Sequence, residues 1–228
     1  MREKIVYVES ESDKIFLIIL NEVKNLGLKD SNIINCWSKD KLSKESESIK
    51  EYLKAKDIYI IFDSDNQVEK TKQNIKKQLQ QNPEKEHRLS DEEFEQIKIF
   101  LLPENDETKH HSKYCELEHL LEKMAKESEN KAFYKGFCES YEKFFNKIKQ
   151  IKSIRSEQKR RAKCWLQSYI MLCLERGFVP CGLNDLDPIT TTTKILERNT
   201  EILKKLFHFD LEKLQALIDF LNKPNKNP

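Results

Sequence analysis

Ile58-Tyr59-Ile60-Ile61-Phe62-Asp63-Ser64-Asp65 is the stretch that decides the fold. Its apolar part is continuous, β-branched and aromatic, too short for a buried helix and well suited to a strand covered on both faces. A second run of the same kind, Ile5-Val6-Tyr7-Val8, also ends in acid, at Glu9. Helical stretches separate the runs, the pattern of βαβ units around a mainly parallel sheet. In open α/β sheets ligands sit beyond the carboxyl ends of the strands, which is where Glu9, Asp63 and Asp65 fall. Carboxylates one residue apart leave a strand on the same side, so Asp63 and Asp65 are expected to face one point. Magnesium (or manganese) suits such a point, because it is held by one or two carboxylates and keeps other positions for water and substrate phosphate. The plainer alternative is a polar turn in which Asp65-Asn66 caps the next helix. Glu11 and Asp13 read as first-turn acids of a helix with Ser12 as its N-cap.

Outward from these runs, Ser12 to Leu26 is expected to be a helix with Ile15, Phe16, Ile19, Leu20 and Val23 on its apolar face and Gly27 marking its end. Ser31 to Trp37 reads as a second strand, followed by a charged stretch to Lys56 that contains a helix. Asn66 to Gln81 reads as a polar helix, Asn82 to Arg88 as a solvated loop, and Gln96 to Leu102 as a fourth strand stopped by Pro103. Beyond it, Leu117, Leu120, Leu121 and Met124, then Phe133, Phe137, Tyr141, Phe144, Phe145 and Ile148, recur at helical spacing. Two closing helices are expected over Thr192 to Leu206 and Leu211 to Leu221. The division is therefore an α/β core over residues 1–113 with a mainly parallel sheet of about four strands, and a helical elaboration over 114–228 packed on it.

Acids and bases nearly cancel among the 228 residues, and the net charge of +2 argues against a uniformly basic nucleic-acid coat. A local basic stripe is present: Lys143, Lys147, Lys149, Lys152, Arg155, Lys159, Arg160, Arg161 and Lys163 crowd together with Phe144, Phe145 and Trp165 interleaved. Such a stripe can follow a phosphate backbone, with Lys159, Arg160 and Arg161 as nucleic-acid contacts, although the aromatics fall at core spacing. No apolar stretch approaches the roughly 18 to 20 residues that span a bilayer, and Met1-Arg2-Glu3-Lys4 leads into a strand rather than a signal peptide, so no membrane association and a cytoplasmic location are expected. The six cysteines have no regular spacing and read as reduced, mostly buried thiols. His110, His111, Cys115 and His119 carry zinc-type ligands at a spacing that matches no strong zinc pattern. No Gly-x-x-x-x-Gly-Lys loop is visible, so the chain does not read as an ATPase.

Val8-Glu9-Ser10-Glu11-Ser12-Asp13-Lys14-Ile15-Phe16 resembles the first motif of TOPRIM domains, a Glu closing the first strand and a turn into a helix. Phe62-Asp63-Ser64-Asp65-Asn66 resembles their Asp-x-Asp motif. A narrower resemblance is to small stand-alone bacterial TOPRIM-like proteins related to the OLD-type nucleases, through Ile99-Phe100-Leu101-Leu102-Pro103, Glu116-Leu117-Glu118-His119-Leu120-Leu121 and Phe207-His208-Phe209-Asp210 onward. Those proteins favour Gly where this chain has Ser10 and again where it has Cys115.

The resemblance implies a TOPRIM-like fold and metal-dependent hydrolysis of nucleic-acid phosphodiester bonds, in DNA or RNA. One or two magnesium ions would be held by Glu9, Asp63, Asp65 and Glu118, with Glu9 as general base or ligand. It also implies a lysine late in the domain at the metal centre, Lys163 or Lys159, to neutralise charge on the phosphate. The setting it suggests is phage defence, with a separate ATPase partner; exposed helices allow a homodimer. A topoisomerase is not expected, since strand passage needs further domains. The rival reading is a non-catalytic TOPRIM-like module that binds metal, nucleotide or a partner protein.

Overall fold

The computed structural model describes residues 2–65, 67–102, 117–151, 169 and 204–223. The α/β sheet expected from the sequence is present, with four parallel strands: β1 (Glu3–Val8), β2 (Ile33–Asn35), β3 (Lys56–Asp63) and β4 (Lys98–Leu102). Their order is β2-β1-β3-β4. The register sets Val8 beside Asn35 on one side and Ile61 on the other, and Asp63 beside Leu102.

The positions of the helices result from this order. Between the strands run α1 (Glu11–Lys24), α2 (Ser46–Leu53), α3 (Val68–Gln80) and the single turn α4 (Asp91–Phe94). A β-crossover-β connection is right-handed, so reversing the direction of travel across the sheet moves the helix to the opposite face. The step from β1 to β2 goes one way and those from β2 to β3 and β3 to β4 go the other, which places α1 on one face and α2 and α3 on the second. The packing agrees. Ile5, Tyr7, Ile58, Ile60, Phe62 and Leu101 share a buried cluster with Ile49 and Leu53 of α2 and Val68, Ile75 and Leu79 of α3. α3 is polar apart from its buried stripe of Val68, Thr71, Ile75 and Leu79, spaced three and four apart as one helix face requires.

Several boundaries differ from the sequence reading. α1 starts at Glu11 and its N-cap is Ser10, not Ser12: the Ser10 hydroxyl accepts from the Asp13 N–H while the Asp13 carboxylate accepts from the Ser10 N–H at 2.8 Å. This reciprocal box satisfies two donors that would otherwise be orphaned at the helix start, which the Ser12 alternative would not do. α1 is also buried continuously from Ile15 to Leu20, beyond the single apolar face expected. β2 is short because a 3-10 turn, Asp30–Asn32, runs into it. The stretch after Gln81 is more than a solvated loop: Asn82 is buried, and its side-chain amide donates to the Ser43 carbonyl at 2.7 Å.

The chain divides into two compact units, one made of the described residues up to Leu117 together with those from Glu212, the other of residues between. The closing helix α7 (Glu212–Asn222) thus belongs with the sheet rather than with the helical half after residue 113. Its Phe220 ring meets Tyr59 edge-on at 5.5 Å and Phe100 at 5.2 Å, both on the sheet face opposite α2 and α3. The Lys98 ammonium donates to the Lys223 carbonyl at 2.9 Å just past its end.

In the second unit, α5 (Leu117–Lys126) buries Leu120, Leu121 and Met124 as the helical spacing anticipates. α6 (Lys131–Ile151) presents Phe133, Tyr134 and Phe137 to the buried Tyr169 ring, which also meets Phe207. Phe144, read as core, is 61% exposed, because it lies further along α6 than the residues that Tyr169 covers. Among the described residues no helix is long and apolar enough to cross a membrane.

Candidate functional site at the carboxyl edge

With β2 and β3 on opposite sides of β1, the chain reverses direction between β1 and β3. That reversal opens a crevice at the carboxyl ends of the two strands, the usual ligand position in doubly wound sheets. Glu9 directly follows β1, Asp63 ends β3, and Asp65 lies in the turn after it. All three carboxylates predicted from the sequence therefore stand at this one edge, each half-buried.

Local geometry explains how Asp63 and Asp65 are held. Ser64 is fully buried, its N–H donating to the Leu102 carbonyl at 3.1 Å, and its own carbonyl accepts from the Gln67 N–H at 2.8 Å and the Thr71 hydroxyl at 3.3 Å. This pinned turn places Asp65 in left-handed backbone, φ 50°. Aspartate tolerates that region better than most side chains. The strand rule used for Asp63 and Asp65 consequently does not reach Asp65, because β3 ends at Asp63. One Asp63 oxygen accepts from the Leu117 N–H at 3.1 Å, capping the first turn of α5. Asp65 makes an ion pair with Lys39. Among the described residues, three ligand-type side chains whose donor atoms all lie within 4.8 Å occur at Glu84, Glu86 and His87, not at Glu9, Asp63 and Asp65. Asp63 and Asp65 are drawn toward different partners.

Lys39 is the residue that the sequence reading missed. It opens a 3-10 segment, Lys39–Glu45, that is clipped to α3: the Lys39 carbonyl accepts from the Gln78 amide at 2.7 Å and the same amide's oxygen accepts from the Ser43 N–H at 3.3 Å. Nothing in the local spacing of Trp37-Ser38-Lys39-Asp40 reveals this role. It emerges only when the topology brings the segment after β2 to the turn after β3.

The edge also carries Cys36, whose N–H continues the β1 pairing by donating to the Val8 carbonyl at 2.9 Å. Burial, with the charges of Glu45 and Glu9 nearby, pushes its thiol up to about 12, so it is a neutral, buried thiol as the cysteine pattern implied. Glu11 accepts from the Asn35 side chain at 3.1 Å, tying the start of α1 to the end of β2. Asp13 is occupied by the capping box. These two are structural, as expected.

The Glu84, Glu86 and His87 group lies on the connection entering β4, at the amino edge of the sheet. His87 Nδ1 is 2.8 Å from Glu84, an ordinary surface pairing. Glu118 is buried in the first turn of α5 and belongs to the second unit. Lys159, Arg160, Arg161 and Lys163 lie outside the described residues, as do His110, His111 and Cys115 of the zinc alternative; His119 is half-buried on α5.

A family model covers residues 3–224, nearly the whole chain, and its description is a protein of unknown function, DUF3226. The chain belongs to the DUF3226 family. No curated protein and no solved structure matches the DUF3226 chain. Its Ser10, at φ −138°, occupies ordinary extended backbone, so nothing in the first turn demands a glycine.

Proposed function

We propose that this DUF3226 protein is a metal-dependent nuclease of the TOPRIM type that hydrolyses nucleic-acid phosphodiester bonds. The observation that carries the reading is that Glu9, Asp63 and Asp65 share the carboxyl edge at the β1/β3 crevice, with a cation, the Lys39 ammonium, already bound by one of them. The donor set is carboxylate oxygen, which fits magnesium or manganese. A divalent ion bound there would lower the pKa of an attacking water and stabilise the departing oxygen. In this reading Glu9 would accept a proton from that water or ligate the ion. One Asp63 oxygen holds the Leu117 N–H, and a carboxylate has a second oxygen that can ligate an ion. The cellular setting that goes with this reading is a cytoplasmic phage-defence effector controlled by a separate ATPase.

A second reading, a non-catalytic module that binds metal, nucleotide or a partner, is favoured by Asp63 and Asp65 each having a structural partner. The test separates them. Native protein and Asp63→Asn are incubated with linear, circular and single-stranded DNA and with RNA, with magnesium or manganese present. Asparagine keeps an oxygen that can accept from the Leu117 N–H and removes only the charge, so folding should survive. Cleavage that needs metal and falls at least about 100-fold in folded Asp63→Asn is the expected result. Metal binding without cleavage of any substrate would move the protein to the second reading.

A further inference from the structure

The connection from β2 to α2 carries a feature that the acidic edge does not use. Trp37 is 65% exposed, and its backbone is left-handed at φ 62°. A left-handed backbone costs a bulky residue of order 1 kcal/mol or more and persists only where its surroundings impose it. The surroundings here are specific: the Trp37 N–H donates to the Asn35 side-chain oxygen at 2.6 Å, and Asn35 is itself tied to Glu11. An indole that burial would favour is thus held out in water at the carboxyl edge of the sheet.

The residues after Trp37 set the chemistry of its ligand. Trp37-Ser38-Lys39-Asp40-Lys41-Leu42-Ser43-Lys44 holds three lysines and one aspartate. Lys41 and Lys44 are exposed, Asp40 is engaged by the Asn74 amide at 3.3 Å, and Leu42 is fully buried, anchoring the segment from below. The segment leaves the end of β2 and reaches Asp65 after β3, and β1 with its terminal Glu9 lies between these strands. An exposed aromatic face followed by cations on a fixed backbone is the arrangement that binds single-stranded nucleic acid, with a base stacked on the ring and phosphates along the cations.

We propose that Trp37 is a stacking platform for an unpaired base and that Lys39, with Lys41 and Lys44, holds the adjoining phosphates, so that single-stranded nucleic acid is the ligand of this edge. The identification of the ligand as nucleic acid rests on the nuclease reading; the platform itself rests on Trp37. A base in a duplex is stacked on both sides and cannot take the ring, which gives the site its preference for single strands. Lys39 exchanges its Asp65 partner for a phosphate as the strand settles.

The test is binding without cleavage, using fluorescein-labelled single-stranded 12-mers of DNA and RNA and the matching duplex, in chelator, followed by anisotropy. Trp37→Ala is expected to weaken single-strand binding about 10-fold or more while leaving duplex binding unchanged, and Trp37→Phe to recover most of the loss. Lys39→Gln is expected to weaken binding to all sequences alike and to lower the salt slope by about one counterion. In a Trp165→Phe background, where Trp37 is the remaining indole, single strands should quench the intrinsic fluorescence. Equal single-strand affinity for native protein and folded Trp37→Ala overturns the proposal, as does failure of the native protein to bind single strands. The two readings fail separately. Trp37-dependent binding with no metal-dependent cleavage would retain the platform and remove the nuclease; Asp63-dependent cleavage with binding indifferent to Trp37 would do the reverse.

Discussion

At Ser10 the structure turns a departure from the family resemblance into a measurable statement. The residue is an N-cap in extended backbone, and glycine and serine are both accepted there. Ser10→Gly should therefore cost only a few tenths of a kcal/mol in urea unfolding, whereas Ser10→Ala should cost about 1 kcal/mol. Equal losses for the two would mean that the capping box does not contribute. Cys36 supplies a pH dependence. Its thiol is raised from an ordinary 9.0 to about 12, first by burial and then by Glu45 and Glu9. Between these values the unfolded chain has lost the proton that the folded chain retains, so the unfolded state binds fewer protons and stability falls as pH rises. Cys36 should contribute up to about 1.4 kcal/mol of lost stability per pH unit above pH 9. The buried Tyr7 and Tyr59 hydroxyls are also raised and act in the same direction, so the relevant quantity is the difference in slope between native protein and Cys36→Ala from pH 8.5 to 10.5. Parallel slopes would remove the assignment.

Among the elements, α7 is the one whose place the sequence could not give. Its apolar residues Leu214, Leu217, Ile218 and Leu221 announce an amphipathic helix, but periodicity states which face is buried and not against what. The Phe220 contacts with Tyr59 and Phe100, and the Lys98 ammonium on the Lys223 carbonyl, join it to the sheet. Leu221 is fully buried, so Leu221→Ala should destabilise the sheet unit by about 2–5 kcal/mol. If α7 belonged instead with the helical residues after 113, the substitution would leave the unfolding of the sheet unit unchanged, which amide exchange in β1 and β3 would reveal. The strands themselves were legible because they are buried on both faces: β1 and β3 read as unbroken apolar runs of β-branched and aromatic residues. The short β2 was legible only as Ile33-Ile34, and its bounds were set by the 3-10 turn before it, which leaves no hydrophobic period to read. Strand ends likewise exposed Glu9 and Asp63, since a charge that stops an apolar run is visible in one dimension. Lys39 and Trp37 were not legible as site residues, because their relevance depends on a contact and a backbone angle that link β2 to β3.

Across the molecule these pieces meet in a competition between cations that can be measured without any nucleic acid. The Lys39 ammonium paired with the Asp65 carboxylate would repel a divalent ion bound to the same group, which makes it a built-in competitor for the metal. A ligand that binds only the folded state stabilises it by RT ln(1 + [L]/Kd), about 2.7 kcal/mol at 100 times Kd. Magnesium should therefore raise the melting temperature of native protein by several degrees at saturating concentration. Glu9→Gln and Asp65→Asn should lose most of that shift because each removes a ligand charge. Lys39→Gln should do the opposite. It takes the competing ammonium from Asp65, so the magnesium titration should move to lower concentration even though the metal-free protein has lost an ion pair, a partly exposed one that contributes little by itself. A Lys39→Gln protein that binds magnesium more weakly than the native chain would show that Lys39 supports the acidic edge rather than competes for it. A native protein without any magnesium shift would leave Asp63 as a cap and Asp65 as an ion-pair partner, and the crevice between β1 and β3 as a site for something other than a metal-bound phosphate.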